Sequence, residues 1–180
     1  MKNRMQVLES RGLVRFQDCD PFNHLNNAAY LNYLVNARED QLMAQHGINI
    51  YDLKSLGGKC WVVGSNQIAY IRPARLMEEI VMQSQLIDFS ESETKVELRM
   101  YNHDKSELKA VMWGTYVHID LIQQKRSTHS EDLMNLFQQA LAPIQDSSFE
   151  QRAQILRAEF AKKHQKSWSN NGLYFVELLL

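Results

Sequence analysis

Two carboxylates, a histidine and three asparagines fall within the ten residues Asp18-Cys-Asp-Pro-Phe-Asn-His-Leu-Asn-Asn27. A carboxylate and an imidazole this close can serve as general base or nucleophile with an orienting partner. Asp18 and Asp20 lie two apart in an extended segment, so they point the same way unless Pro21 turns the chain; His24 follows four beyond Asp20. Asn26 or Asn27 suits a helix N-cap, because a side-chain oxygen there accepts from an early helical N–H. N–H groups left over at such a start can stabilise negative charge growing on a carbonyl oxygen. The combination suits acyl transfer or hydrolysis. The same residues also read as an Asx-Pro turn with an Asn cap, a structural device without chemistry. Asp18 reads more simply as a turn-bonding residue, and alternation turns Cys19 away from both aspartates.

A metal site fits poorly. As a calcium loop starting at Asp18, the run has Phe22 in place of an oxygen ligand, Asn23 in place of the glycine and Ala29 in place of the bidentate glutamate. A zinc site would need more His or Cys at ligand spacing than the chain offers. No Gly-rich phosphate loop and no Gly-x-Ser-x-Gly elbow is present.

These residues need a strand to deliver them and a helix to receive them. Residues 1–10 read as a polar lead-in and Gly12 to Gln17 as a first strand ending at the Asp-Pro turn signal. A helix follows from Asn27 to His46, closed by Gly47. Its apolar positions Tyr30, Leu31, Leu34, Val35, Ala37, Leu42 and Met43 form a surface broader than one stripe, which predicts burial on more than one side. Four strands are expected at Lys59–Ile71, Glu79–Phe89, Glu93–Asn102 and Leu108–Asp120, with short polar links that fit antiparallel hairpins. One helix against one antiparallel sheet is an α+β arrangement.

From Ser127 the character changes. Thr128-His-Ser-Glu131 and Ser148-Phe-Glu-Gln151 fit capping boxes, each ahead of an apolar helical face: Leu133, Leu136, Phe137, Ala140 and Leu141, then Phe149, Ala153, Leu156 and Phe160. Pro143 ends the first helix, and Asn170-Asn-Gly172 reads as a turn. The cluster Lys162, Lys163 and Lys166 suits a solvated helix C-terminus. The last eight residues carry one charge and predict a buried element, docked on the chain's own domain or on a partner.

The run Phe16 to Tyr30 resembles the opening motif of the 4-hydroxybenzoyl-CoA thioesterase-like family of acyl-CoA thioesterases, whose pattern is Asp-x-Asp, Gly-His-Val-Asn-Asn, then a Tyr and an Arg. Asp18, Asp20, His24, Asn26, Asn27, Tyr30 and Arg38 match it, and Ile68-Ala-Tyr70 with Pro73 looks like a second motif of that family. Departures are Asn23 for glycine, Asn36 for a common Glu, and Glu78-Glu79 where Gly-Asp is frequent. The resemblance covers residues 11–122 and implies a hotdog fold: a long central helix wrapped by a curved antiparallel sheet, here with a C-terminal helical extension. It places a thioesterase domain at 1–126 and the extension with its apolar tail at 127–180.

The resemblance further implies an acyl-CoA substrate, hydrolysed without metal or cofactor. It carries catalysis onto Asp20 as base or nucleophile, with His24 and Asn27 beside it, and substrate binding onto Asn26 and Tyr30. It implies a homodimer or homotetramer in which the partner's stretch from Trp61 to Tyr70 lines each site; the CoA phosphates would need basic residues, for which Arg72 and Arg75 are candidates. Tyr30 and Tyr33 also read as helix packing, Trp61 and Trp113 as sheet core, and Arg38 as a partner for a carboxylate. Two alternatives stay open: a hotdog hydratase or dehydratase, whose Gly-His-Phe-Pro-like string is missing, and a non-catalytic acyl-binding or scaffold protein.

Composition bounds the rest. The chain has 180 residues, 44% of them hydrophobic, enough for a real core, and a net charge of −1 that gives nucleic acid no basic face. No apolar run approaches the ~20 residues of a membrane span. Cys19 and Cys60 lack metal or redox spacing and are expected as reduced thiols in a cytoplasmic protein.

Overall fold

A computed structural model of the chain describes residues 6–52, 56–146 and 148–170, with side chains to residue 161. The apolar tail, the turn residues Asn171 and Gly172 and the side chains of Lys162, Lys163 and Lys166 lie outside the described residues.

The elements run β1 (Val7–Leu13), a single 3-10 turn (Phe16–Asp18), α1 (Asn27–His46), β2 (Lys59–Tyr70), β3 (Glu79–Phe89), β4 (Glu93–Asn102), β5 (Leu108–Asp120), β6 (Lys125–Arg126), α2 (Glu131–Ala140) and α3 (Phe149–Asn170). The strands form one antiparallel sheet in the order β1-β3-β4-β5-β2, with the short β6 added to β5. This is the hotdog arrangement, with α1 across the inner face.

The sheet is built by alternation. On β3, Ile80, Met82 and Leu86 face inward, whereas Val81 and Ile87 face outward. The inner core joins them to Val96, Leu98, Met100, Ala110 and Met112, and to Tyr30, Leu34 and Ala37 of α1. The outer core holds Val81, Tyr101, Leu108, Val111 and Trp113 beneath Phe149, Ala153, Leu156 and Phe160 of α3. The spacing of four, three and four residues keeps those α3 side chains on one stripe. Burying a large apolar side chain contributes ~1.5–3 kcal/mol, so this stripe is enough to seat the helix.

Four expectations need correction. The first strand begins at Val7, not Gly12, and pairs with β3 over Val7↔Gln85 to Leu13↔Glu79. As an edge strand with neighbours on one side only, it tolerates the polar Glu9 and Arg11 that hide its strand pattern. The segment from Phe16 to Asp18 is a 3-10 turn rather than extended chain. In the single chain α1 is buried along one stripe, Tyr30, Leu34, Ala37 and Gln41, while Leu31 and Met43 are exposed. The cap of α2 is Ser130, which accepts from the Leu133 N–H at 3.3 Å, rather than Thr128. His129, between the two, is buried, donates its N–H to Glu91 O at 2.7 Å and accepts from the Trp61 indole. The cap of α3 is where the spacing places it: Ser148 Oγ accepts from the Gln151 N–H at 3.2 Å.

Candidate functional site

The connection from β1 to α1 is held by its own polar residues. Asp18 Oδ2 accepts from the Tyr33 hydroxyl at 2.7 Å, which pins the 3-10 turn to the first turns of α1. The Tyr33 oxygen also accepts from the Arg15 N–H at 3.1 Å. Asp18 is thus a tie rather than a free carboxylate. The 3-10 turn replaces the extended geometry that would align Asp18 with Asp20, and the two carboxylates have different partners.

Asp20 is anchored through one oxygen. Its Oδ1 accepts from the N–H of Phe22 at 2.9 Å and of His24 at 3.0 Å, an Asx turn around Pro21 and Asn23. Asn23 sits there at φ 60°, the left-handed conformation that asparagine tolerates and glycine usually fills. The loop closes with the Asp20 N–H donating to His24 O at 2.7 Å. Among the described residues both bonds to the carboxylate go to Oδ1, which leaves Oδ2 for other work.

Asn26 caps α1. Its backbone is extended and its Oδ1 accepts from the Ala28 N–H at 2.9 Å. Asn27 is the first helical residue and is exposed. Its carbonyl accepts from the Tyr70 hydroxyl at 2.9 Å, which fixes the end of β2 beside the helix start. Tyr30 is buried, accepts from the Ala74 N–H at 2.8 Å and meets Tyr70 edge-on at 5.2 Å.

Together these residues form one cleft of about 220 Å³, walled by Asp20, His24, Asn27, Tyr30, Tyr70 and Arg72. The structure therefore brings Asp20, His24, Asn27, Tyr30 and Arg72 together, with Asn26 as the cap behind them. Arg72 stands 3.8 Å from Glu107. Arg75 is exposed beside His24 through a backbone bridge but is not a wall of the cleft.

Trp61 lies elsewhere in the chain. It starts β2 at the far end from Tyr70 and lines a second cavity, under the C-terminal half of α1. Its indole N–H donates to His129 Nε2 at 3.0 Å, and His118 stacks on His129 at 4.7 Å. Burial pulls both imidazoles below the ordinary histidine range. The family resemblance implies that Tyr70 lines the site from the partner, as part of the stretch Trp61 to Tyr70; here the chain's own Tyr70 walls its cleft. Sequence reasoning passed over His118 and His129, which carry no local signal.

Both cysteines are free thiols. Cys19 Sγ donates to Arg15 O at 3.4 Å, and burial raises its pKa. Among the described residues, no three His, Cys, Asp or Glu side chains are placed to share a metal ion. No helix among them is long and apolar enough to cross a membrane.

A family model described as the thioesterase-like superfamily matches residues 14–141. No curated protein matches the chain. Among solved structures, the probable thioesterase YbaW from Escherichia coli is 26% identical, with a TM-score of 0.64, over 75% of this chain and 99% of that one. The 1,4-dihydroxy-2-naphthoyl-CoA thioesterase Slr0204 from Synechocystis is 16% identical, with a TM-score of 0.65, over 72% and 93%. The protein SAV2348 from Staphylococcus aureus, solved in complex with CoA, is 13% identical, with a TM-score of 0.68, over 80% and 91%.

Proposed function

We propose that this chain, which belongs to the thioesterase-like superfamily, is an acyl-CoA thioesterase of the 4-hydroxybenzoyl-CoA thioesterase-like kind, hydrolysing a thioester to a carboxylic acid and CoA at the Asp20 cleft. The observation that carries the reading is the half-anchored carboxylate. Two backbone N–H groups hold Asp20 Oδ1, while the cleft around Asp20 opens on the start of a 20-residue helix.

The chemistry follows from that placement. Asp20 acts through Oδ2, either taking a proton from a water or attacking the thioester carbon itself. The carbonyl oxygen gains negative charge as the new C–O bond forms. The Asn27 N–H and side-chain amide, at the positive end of α1, are the donors assigned to it. By the base route the C–S bond then breaks and the thiolate takes the proton that Asp20 drew from water. By the nucleophile route the thiolate leaves from an Asp20–acyl anhydride, which a water then hydrolyses to the free acid and the Asp20 carboxylate, the water's proton going to the thiolate. His24 forms the neighbouring wall and orients the carboxylate and the incoming water. The relative from Staphylococcus aureus holds CoA; here Arg72 on the cleft wall and Arg75 beside it are the cations assigned to its phosphates.

The site is completed by a second copy. β2 is an edge strand, and Val62, Val63 and Tyr70 on it are exposed. An unpaired edge of 12 residues with apolar side chains is a ready template for another strand. Antiparallel pairing of two such edges sets the Trp61 end of one copy beside the Tyr70 end, and hence the cleft, of the other.

The test is thiol release from short, long and aromatic acyl-CoAs, with the molecular mass measured by light scattering. Turnover by a dimer or tetramer is the expected result. A folded protein that releases thiol from none of them would turn the assignment to an acyl-binding or scaffold protein.

A further inference from the structure

The second cavity, of about 130 Å³, lies between the C-terminal half of α1 and the inner face of the sheet. Its walls are mostly apolar: Val35, Leu42, Leu86, Val96 and Phe137. A void of ~150 Å³ with such walls holds one benzene molecule. Arg38, Glu39, Thr94 and the Tyr116 hydroxyl interrupt the apolar lining, and two of these groups matter here. One is the guanidinium of Arg38, the other the hydroxyl of Tyr116.

Neither is neutralised. Arg38 Nη1 donates to Ser84 Oγ at 3.1 Å, a neutral acceptor. Behind Ser84 the chain of bonds continues through Gln41, whose amide donates to Ser10 Oγ at 2.9 Å and Met82 O at 3.1 Å. This thread fixes the guanidinium without supplying an anion. Among the described residues no carboxylate comes within 4.0 Å of its nitrogens. Glu39 reaches the same cavity, but its carboxylate accepts from the Tyr51 hydroxyl. Among the described residues the buried Tyr116 hydroxyl has no hydrogen-bond partner. Burial pulls the Arg38 pKa down to about 10, so the group is still a cation at neutral pH. A half-buried cation without an anionic partner and a buried unpaired hydroxyl each cost free energy that a bound anion would offset.

We propose that this cavity receives the remote end of the acyl group, and that Arg38 with Tyr116 selects acyl chains ending in a carboxylate. The inference rests on the thioesterase reading and on the β2 pairing, which sets the Trp61 and Val63 wall of this cavity beside the neighbouring copy's cleft. It adds the substrate class: a short dicarboxylic or carboxyaryl thioester. The guanidinium takes one carboxylate oxygen, the hydroxyl donates to the other, and the methylene chain or ring fills the apolar remainder.

The test compares adipyl-CoA with hexanoyl-CoA, which differ only in the terminal carboxylate. A charge-assisted hydrogen bond in a buried site predicts a kcat/KM ratio of about tenfold or more in favour of adipyl-CoA. Arg38→Met is expected to bring that ratio to one or below, and Arg38→Lys to restore part of it. A ratio near one in the wild type, or a ratio unmoved by Arg38→Met, would overturn the inference and leave thioester hydrolysis standing. Should Arg38→Met not fold, Tyr116→Phe gives the second reading: the ratio falls severalfold, or the inference fails. Calorimetric titration with free adipate and hexanoate separates the two claims. Adipate binding lost in Arg38→Met, with no thiol release from any acyl-CoA, supports the carboxylate site and sinks the hydrolase. No adipate binding in the wild type sinks the carboxylate site.

Discussion

Arg152 on the outer face of the sheet and Arg38 on the inner face are both half-buried, and the two are treated in opposite ways. On the outer face Arg152 of α3 makes a two-pronged pair with Glu97, Nε to Oε2 and Nη2 to Oε1, both at 2.8 Å. Glu97 is fully buried and also accepts from the Trp113 indole at 2.9 Å, while Arg152 adds Asp146 at 3.1 Å. The carboxylate beside it raises the Arg152 pKa. On the inner face Arg38 has a serine hydroxyl, and burial lowers its pKa to about 10. Where the only task is to seat a helix, the charge is matched. Where a cavity opens beside it, the charge is left over. The unmatched group marks the face that meets a ligand.

The most disruptive way to probe this contrast is Glu97→Gln. It keeps the shape and removes the charge, leaving Arg152 half-buried without its main partner. A loss of ~3–5 kcal/mol in urea unfolding is expected, with α3 released first. On the inner face Gly114→Ala comes next. A Cβ there would fall 2.9 Å from Tyr116 Cε2, so the ring must move. A cost of ~1–3 kcal/mol is expected, together with an altered adipyl to hexanoyl ratio. Ser148→Ala removes the α3 cap at a cost of ~1 kcal/mol and tests the outer face again. Arg38→Met is the sharpest case, because its stability is expected to stay within ~1 kcal/mol of wild type or to rise. A loss as large as that of Glu97→Gln would erase the distinction between the two faces.

A pH series separates the faces in another way. His118 and His129 are held below their ordinary value of 6.5, chiefly by burial. Their neutral forms fit the fold: His129 Nε2 accepts from Trp61, and the two rings stack. Below pH 6.5 the unfolded chain takes up protons that the folded chain refuses. Stability is therefore complete above that value and falls as the pH drops below it. Urea midpoints at pH 7.5 and 5.0 measure the drop, and it should shrink in His129→Gln.

Much of this fold was legible in the chain. Gly47, Pro73 and the polar hairpin links are local signals, and they fixed α1 and β3 to β5 at their observed ends. Edge strand β1 was not legible, because its outward Glu9 and Arg11 look like loop. Of the site, spacing alone put Asp20 and His24 near a helix start, while their grouping with Asn27 as a site came from the family resemblance. The tie from Asp18 to Tyr33 could not, since it depends on a 3-10 turn. The Arg38 to Ser84 contact spans 46 positions. Unmet charge is a property of what surrounds a residue in space, which no local pattern encodes.

The central claim is that Asp20 performs the chemistry, and Asp20→Asn tests it with little structural disturbance. The asparagine oxygen can still accept from Phe22 and His24, so the turn should hold and the melting temperature should stay close to wild type. Thiol release should fall by ~10²–10⁴ in kcat, the range for loss of a general base. Release at the wild-type rate would contradict the account and move the chemistry to another group in the cleft.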